Sequence, residues 1–411
     1  MKYGLIGEKL GHSFSAEIHR LLSEEAYTLC PLAPDSLASF LTQKDFTGIN
    51  VTIPYKEAVI PYLDEISPEA AAIGAVNTVV NRDGRLLGYN TDYFGILSSL
   101  TRMGITDLTG KKVFILGTGG TAHTAYAVLT ALGAKPLYVS RTPKENILSY
   151  EQAATLHTDV YLIVNATPVG MYPENERSPI SLAPFHRLKY VFDVVYNPLR
   201  TRLVQEAEAR GIRAQGGLYM LVAQACAAAS YFYGKTVPTQ KIEEIFCRME
   251  REKENLVLIG MPSSGKTSIG KALAQKTGRL FVDIDKEIVM REGTDITTIF
   301  AQKGEAYFRE VEAAVAKEVS KRSGCIIATG GGTVLNSESV QALKQNGVLL
   351  FLDRPLSALM PTKDRPTANT GEAIAARYRE RLPVYRKAQD YTFPVGEDFS
   401  ETVNAILKEF S

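Results

Sequence analysis

One glycine-rich loop constrains the fold of this chain more than any other stretch. The apolar run 256–259 leads into the segment 260–267, GMPSSGKT, which fits the pattern G-x-x-x-x-G-K-[ST], and a helix-like run follows. In that pattern, backbone N–H groups and a helix N-terminus face phosphates, the lysine reaches the outer phosphates, and the hydroxyl ligates Mg²⁺. An accidental glycine-rich turn is the alternative, and the flanking runs disfavour it. We predict a nucleotide site that opens a separate α/β domain near residue 255.

Length and charge limit the classes of protein that remain. At 411 residues the chain is long enough for two or three domains. Its 45% hydrophobic and 22% charged residues are typical of soluble globular proteins with large cores. A net charge of +1 provides no bulk attraction to nucleic acid or to a membrane surface, so we expect neither as a partner.

The cysteines and the apolar segments indicate a cytoplasmic protein. Cys30, Cys226, Cys247 and Cys325 are scattered without metal-ligand spacing, so we interpret them as reduced thiols rather than a metal site. The N-terminus lacks the apolar stretch of a signal peptide. The most apolar segment, 218–233, is shorter than a membrane span and contains a glutamine, so we expect a buried helix.

Polar side chains follow successive strand-like runs within the first hundred residues. They are Ser13 and Ser15 after the run 2–6, Thr52 within the run 48–53 and Lys56 after it, Asn77 within the run 73–80, and Asp92 after Gly88. Each has a structural alternative, because Ser and Asp commonly cap helices and a lone Lys often opens a solvated helix. Ligands of open α/β sheets bind at the carboxyl ends of strands, so we favour one convergent site.

The middle of the chain has the pattern of a dinucleotide-binding unit. The run 112–116 is a predicted strand, the turn that follows contains Gly117, Gly119 and Gly120, and a helix continues from residue 123. The second strand, 136–139, ends at Ser140-Arg141-Thr142, where an NAD enzyme places an acidic residue on the ribose hydroxyl. Arg141 offers a guanidinium to a 2′-phosphate, so the sequence favours NADP over NAD.

Acidic and glycine-rich segments follow the phosphate loop. The run 279–285 is a predicted strand whose alternate acids, Asp283 and Asp285, share one face by the period of two. One acid can hold Mg²⁺ through water while the other takes a hydroxyl proton. Arg309 and Glu312 are three apart on a predicted helix and can pair, although a surface ion pair is the alternative. A further strand runs into the triple glycine 330–332, where backbone can approach a ligand closely.

Residues 1–248 resemble shikimate dehydrogenase through several motifs in family order. These are the serines before His19, the segments 50–56, 77–78, 90–92, 165–171 and 193–196, and the stretch from Gly216 to Gln224. The resemblance implies a substrate domain (1–101 and 216–250) interrupted by a Rossmann NADP domain (102–215). It also implies that Lys56 and Asp92 form the acid–base pair. The substrate-binding residues it implies are Ser13, Ser15, Thr52, Asn77, Tyr196 and Gln224, and the NADP-binding residues are Gly117, Gly119, Gly120, Ser140, Arg141 and Thr142.

Residues 255–411 resemble shikimate kinase, a P-loop α/β domain of the nucleoside-monophosphate-kinase type. The resemblance implies catalytic roles for Lys266 and Asp285, and Mg²⁺ binding by Thr267 and Asp283. The implied ATP-binding residues are Gly260, Gly265, Lys266, Thr267, Ser268 and Arg365, and the implied shikimate-binding residues are Asp285, Arg309, Gly330, Gly331, Gly332 and Arg381. Ser263 replaces a common family glycine, so we expect a backbone angle there that is not left-handed. The segment 356–365 is short for the family lid.

The two resemblances share an intermediate, which strengthens both. Together they imply NADPH-dependent reduction of 3-dehydroshikimate to shikimate, followed by ATP- and Mg²⁺-dependent phosphorylation of shikimate to shikimate 3-phosphate. We expect a charge-dense helix over about 242–254 that ends as a short exposed linker between residues 1–250 and 255–411. The alternatives are a quinate/shikimate dehydrogenase that uses NAD, and a non-catalytic sensor or repressor with this architecture. The oligomeric state is not encoded in any motif.

Overall fold

The computed structural model describes residues 1–11, 13–360 and 370–410. The chain divides into compact units, Met1–Met249 and Glu250–Ser411. Each unit is of the α/β type, as the sequence predicts. No helix within the described residues is both long and apolar enough to span a membrane.

The first sheet of the N-terminal unit has the order β2-β1-β3-β5-β6-β4. Strand β1 pairs in parallel with both β2 and β3, whereas β5 pairs antiparallel with β3 and β6. The carboxyl ends of β1 and β3 therefore lie side by side, and the loops after them carry predicted site residues. The strands are Tyr3–Gly7 (β1), Tyr27–Pro31 (β2), Gly48–Val51 (β3), Glu65–Ile66 (β4), Thr78–Arg82 (β5) and Arg85–Tyr89 (β6).

The second sheet of this unit is parallel throughout, in the order β12-β11-β10-β7-β8-β9. This is the strand order of a doubly wound dinucleotide-binding fold, with its switch point between β7 and β10. The glycine turn follows β7, so it lies where such folds bind their ligands. The strands are Lys112–Leu116 (β7), Lys135–Val139 (β8), Ile147–Leu148 (β9), Leu162–Asn165 (β10), Tyr190–Asp193 (β11) and Arg213–Gln215 (β12).

The C-terminal unit contains a parallel sheet in the order β14-β15-β13-β16-β17. The phosphate loop follows β13 and the triple glycine follows β15, and these two strands are neighbours. Both loops therefore meet at the carboxyl edge of one sheet. The strands are Asn255–Ile259 (β13), Phe281–Asp283 (β14), Ile326–Ala328 (β15), Gly347–Asp353 (β16) and Tyr391–Pro394 (β17).

Helices cover these sheets, and their apolar faces fill the cores. In the N-terminal unit they are Ser15–Leu22 (α1), Leu37–Gln43 (α2), Pro68–Ile73 (α3), Thr91–Arg102 (α4), Gly120–Ala131 (α5), Tyr150–Leu156 (α6), Arg202–Ala209 (α7) and Leu218–Tyr233 (α8), and Thr239–Lys253 (α9) crosses the division. The C-terminal unit has Lys266–Thr277 (α10), Ile284–Glu292 (α11), Ile296–Val319 (α12), Ser337–Asn346 (α13), Gly371–Ala388 (α14) and Phe399–Phe410 (α15). Helix α8 is largely buried, as its apolar sequence predicts.

Three local predictions are wrong. Asp285 is not in a strand, because β14 ends at Asp283 and the side chain of Asp283 caps α11 by accepting from the Asp285 N–H. The predicted strand 73–80 begins only at Thr78, after the end of α3 and a short connection. The predicted exposed linker is helical, since α9 continues to Lys253 and β13 begins at Asn255.

Candidate active sites

A buried ion pair lies at the meeting of the two N-terminal sheets. The ammonium of Lys56 donates to Asp92 Oδ2 at 2.5 Å, and the side chains are 14% and 8% exposed. Lys56 follows β3, and Asp92 lies in the first turn of α4, whose cap is Asn90. The alternatives of a solvated lysine and a capping aspartate therefore do not describe these residues. The pair can deliver a proton to a bound oxygen or take one from it.

Five of the six predicted substrate residues lie in two hydrogen-bonded groups. In one group, Asn77 Oδ1 accepts from the backbone of Thr91 at 2.7 Å, and the Thr91 hydroxyl donates to Gln224 Oε1 at 3.3 Å. In the other, the Ser13 hydroxyl donates to Ser15 at 3.1 Å. The Ser13 hydroxyl also accepts from the Ser15 N–H at 3.3 Å, at the first residue of α1, so Ser13 supports the helix start as well as facing Ser15.

Tyr196 belongs to the second group, and Thr52 lies outside both groups. Burial raises the pKa of the Tyr196 phenol, which a hydrogen bond with Ser13 partly offsets. Thr52 follows β3, next to the end of β1, and its methyl group packs against Gly7. His19, in contrast, is buried against Tyr27, and burial lowers its pKa to about 3. His19 is therefore neutral and has a packing role.

The glycine turn after β7 fits the diphosphate of a dinucleotide. Gly119 is the N-cap of α5, and apart from its chain neighbours no described residue has an atom within 4 Å of the position where its Cβ would be, so the helix start is open to a ligand. Gly117 has a φ of +102° and packs closely against Ala166 and Thr167 after β10. Arg141 is exposed at the end of β8, beside a turn in which the Thr142 N–H donates to Ser140 Oγ at 3.2 Å.

The phosphate loop of the C-terminal unit fits a nucleotide with its metal. Lys266 is 5% exposed, and its ammonium donates to the carbonyls of Gly260 and Met261 at 2.8 Å. The Thr267 hydroxyl donates to Asp283 Oδ2 at 2.9 Å, so a hydroxyl and a carboxylate oxygen adjoin where a hard cation would bind. Ser268 lies with Lys266 and Thr267 in the first turn of α10, and Gly265 is the N-cap of that helix. Arg365, the remaining predicted ATP-binding residue outside the loop, lies outside the described residues.

The backbone of Ser263 is left-handed, so the expectation that it is not left-handed is wrong. Its φ is +65°, in the left-handed region that disfavours side chains. Two contacts hold this conformation: the Ser263 hydroxyl donates to the Met360 carbonyl at 2.8 Å, and Arg354 donates to the Ser263 carbonyl at 3.0 Å. Tertiary hydrogen bonds therefore maintain here a geometry that glycine adopts without strain.

Charged groups converge on the triple glycine after β15. Arg309 donates to Glu312 at 2.7 Å, and Glu312 is 3% exposed, so this pair is not the surface pair of the alternative. A Cβ at Gly330 would overlap Glu312 Oε1 and lie 2.9 Å from Asp285 Oδ1, and a Cβ at Gly332 would overlap the Arg309 guanidinium. The glycines thus allow Asp285, Arg309 and the backbone to share one small space.

Arg381 brings a second guanidinium to this space. It is 4% exposed, its Nη1 donates to the Gly331 carbonyl at 2.9 Å, and its Nε is buried without a hydrogen-bond partner among the described residues. A buried guanidinium with a spare donor suits a carboxylate ligand.

Sequence reasoning missed two residues at these sites. Arg377 lies one turn before Arg381 on α14, and burial together with the nearby Arg381 lowers its pKa, while Glu305 opposes that effect. The spacing of four was the available signal. Thr121, in the first turn of α5, accepts a hydrogen bond from Lys56 at 3.2 Å. A glycine-turn motif gives no indication of such a contact.

Comparisons with known proteins agree with this geometry. Residues 5–79 match the shikimate dehydrogenase substrate binding domain, and residues 262–411 match the shikimate kinase family. A shikimate dehydrogenase (NADP(+)) from Clostridium perfringens is 37% identical over 60% of this chain and 98% of its own length. The crystal structure of shikimate dehydrogenase 1 from Peptoclostridium difficile is 35% identical, with a TM-score of 0.56 over 61% of this chain and 98% of that one.

A second solved structure bears on the ligands. Shikimate 5-dehydrogenase from Thermus thermophilus, in complex with NADP(H) and shikimate, is 33% identical, with a TM-score of 0.54 over 60% of this chain and 99% of that one. The NADP(H) bound in that structure agrees with the NADP prediction for this chain, and the match to the shikimate kinase family implies ATP and Mg²⁺. The chain therefore belongs to the NADP-dependent shikimate dehydrogenase family and continues into a shikimate kinase domain, which makes it a bifunctional enzyme of the shikimate pathway.

Proposed function

We propose that the N-terminal unit interconverts 3-dehydroshikimate and shikimate with Lys56 and Asp92 as its acid–base pair. The observation that carries this proposal is the 2.5 Å contact between their side chains in a nearly buried setting beside the glycine turn. NADPH, when bound, supplies the hydride. The Lys56 ammonium donates a proton to the substrate oxygen as negative charge develops there, and Asp92 holds the ammonium in place.

The remaining residues of this site bind and orient the substrate. Hydroxyl, amide and phenol groups suit the hydroxyls and carboxylate of a small polar acid. We assign these roles to Ser13, Ser15, Thr52, Asn77, Tyr196 and Gln224. NADP binding is assigned to Gly117, Gly119 and Gly120 at the diphosphate and to Ser140, Arg141 and Thr142 at the 2′-phosphate.

The C-terminal unit, in this proposal, phosphorylates the 3-hydroxyl of shikimate. ATP with Mg²⁺, when bound, supplies the γ-phosphoryl group. Asp285 accepts the hydroxyl proton, Lys266 offsets phosphate charge, and Thr267 and Asp283 are the metal-side residues. Arg309 and Arg381 hold the carboxylate at the triple glycine. We place the enzyme in the cytoplasm, since all four cysteines are free thiols, and we propose that it has no nucleic-acid partner.

The test is a pair of reciprocal variants. Lys56→Ala should abolish shikimate-dependent NADP⁺ reduction while shikimate-dependent ADP formation survives, and Lys266→Ala should do the reverse. Lys44→Ala and Lys344→Ala are matched controls, because each removes a lysine from a more exposed ion pair in the same unit. Retained reduction in the Lys56 variant would remove that residue from the acid–base role. Loss of both activities in one correctly folded variant would contradict the assignment of the sites to residues 1–250 and 255–411.

A further inference from the structure

The proposed acid–base lysine contacts the cofactor-binding part of its own unit. Lys56 Nζ donates to Thr121 Oγ1 at 3.2 Å as well as to Asp92. Thr121 belongs to α5, the helix that starts at the glycine turn. The backbone of that turn also packs against the lysine, since a Cβ at Gly120 would lie 3.6 Å from Lys56 Cβ and Cδ.

A second threonine of the same helix turn reaches the element that carries Asp92. Asn90 donates from Nδ2 to Thr124 Oγ1 at 3.2 Å, and both residues are buried. Asn90 is the cap of α4, and its Oδ1 accepts from the backbone of Tyr93. Thr121 and Thr124 are three apart, so they lie on one face of α5. This face therefore contacts both partners of the acid–base pair, one directly and the other through the cap of its helix.

These contacts determine where the ammonium can point. An ammonium has three N–H donors, and Asp92 and Thr121 accept from two of them. No other described residue accepts from the third, which points in a fixed direction toward the space for a substrate oxygen. Without the threonine hydroxyl, the side chain could rotate about the carboxylate while keeping its ion pair.

We propose that Thr121 is a positioning residue that orients Lys56 from the cofactor-binding helix, an inference that rests on the proposed role of Lys56. The alternative is that the Thr121 hydroxyl serves only the start of α5 or the binding of NADP. The two ideas differ in what they predict for the free protein. Positioning affects Lys56 even when no ligand is bound, whereas a cofactor contact does not.

The experiment compares Thr121→Val, which removes the hydroxyl at nearly constant shape, with Thr121→Ser, which keeps it. Thr130→Val is the matched control, because Thr130 is exposed on the same helix. One readout is kcat and KM for shikimate oxidation. The other is the rate at which trace acetic anhydride modifies Lys56 in the ligand-free full-length chain, measured by mass spectrometry relative to Lys44.

Thr121→Val should lower kcat by about tenfold with KM for both substrates nearly unchanged, because a misdirected proton donor affects the transition state more than binding. Its Lys56 should be acetylated roughly threefold faster, since one hydrogen bond no longer restrains the amine. Thr121→Ser should restore both values, and Thr130→Val should match the wild type.

An unchanged acetylation rate in Thr121→Val would overturn the proposal, as would an effect confined to the KM for NADP⁺. Failure of the proposed function itself has a different signature. The wild-type chain would then show no shikimate-dependent NADP⁺ reduction, while the acetylation comparison would still decide whether Thr121 restrains Lys56. ADP formation by the kinase domain checks that each variant chain is intact.

Discussion

Glu312 binds Arg309 with one carboxylate oxygen and Thr333 with the other, at 2.7 and 2.8 Å. The carboxylate thereby links a helix to the turn that follows the triple glycine. Because Glu312 is almost fully buried, its contacts are not weakened by water in the way that a surface ion pair is.

The first prediction concerns this link. Glu312→Gln keeps the shape but removes the charge that holds Arg309, so we expect the kinase KM for shikimate to rise by about tenfold. Glu305→Gln is the control, since Glu305 pairs with the same arginine at 2.9 Å but is 53% exposed. It should change KM by less than about twofold. Equal effects of the two variants in kinase assays would show that burial of Glu312 is irrelevant to substrate binding.

The second prediction concerns Arg377. A cation one turn from Arg381 should attract an anionic substrate, so Arg377→Leu should raise the kinase KM for shikimate roughly three- to tenfold. Arg379→Leu removes the same charge from an exposed position two residues along the helix. If the two variants have the same KM, Arg377 contributes only to the net charge.

The third prediction concerns cofactor choice. Arg141→Ala should raise KM for NADP⁺ far more than KM for NAD⁺, with a roughly ten- to hundredfold loss of relative preference, because a charge-assisted phosphate contact contributes about 1.5–3 kcal/mol. Lys135→Ala, at the opposite end of β8, controls for the loss of a positive charge. Equal effects of Arg141→Ala on both cofactors would contradict a 2′-phosphate contact.

The fourth prediction concerns pH and stability. Burial raises the pKa of Asp193 to about 7, although hydrogen bonds from Thr201, the Val195 N–H and Asn165 oppose it. The ordinary pKa of an aspartate is 3.8, so between about pH 4 and pH 7 the folded state keeps a proton on Asp193 that the unfolded state has lost. The free energy of unfolding should therefore fall as pH rises through this window, by an amount on the order of a few kcal/mol, and should level off above it.

Asp193→Asn should flatten that decline. Hydrogen exchange of the strand Tyr190–Asp193 as a function of pH measures it within the N-terminal unit. Asp159→Asn is the matched control: its ion pair with Lys112 lowers the pKa of Asp159, so it titrates below the window. A decline of wild-type size in Asp193→Asn would mean that another group is responsible.

The fifth prediction separates strain from hydrogen bonding at Ser263. Ser263→Ala loses the hydroxyl contact to Met360 and keeps the left-handed backbone, whereas Ser263→Gly loses the contact and relieves the backbone. The glycine variant should be about 1 kcal/mol more stable than the alanine variant. Equal thermal midpoints in calorimetry of the two variants would indicate that the positive φ carries no strain.

Periodicity and motif context predicted the fold class and the segments that carry the candidate site residues, because those signals are local. The predictions that were wrong arise where a local pattern fits two structures or where distant segments are in contact. The phosphate loop was predictable because strand, turn and helix signals are all local. Convergence of the loops that carry Lys56 and Asp92 was predictable because loops after the strands of an α/β sheet meet at one edge. The contact between these two residues, 36 apart, was instead implied by the resemblance to shikimate dehydrogenase. The position of Asp285 was not predictable, because alternation of acids is equally compatible with a strand end and with a helix that Asp283 itself caps.

Other features required the tertiary structure. The apolar face of α9 predicted a helix there, but the charges after Met249 gave no sign that the helix continues to Lys253 and leaves only Glu254 before β13. The left-handed conformation of Ser263 is held by a hydrogen bond to Met360, 97 residues away. The hydrogen bond that restrains Lys56 is accepted by Thr121, in the part of the unit built on the other sheet. Neither partner carries a local signal that identifies the other.

The crowding around Gly330 and Gly332 has a genetic consequence. Every missense change in a glycine codon adds at least a Cβ, and at both positions that atom would overlap a charged side chain, while at Gly331 it would lie 2.9 Å from Pro262. A substitution at any of these three codons therefore has to displace a charged side chain of the pocket or the ring of Pro262. An inhibitor that engages the backbone of this turn would contact a stretch of chain from which resistance by point mutation has few routes.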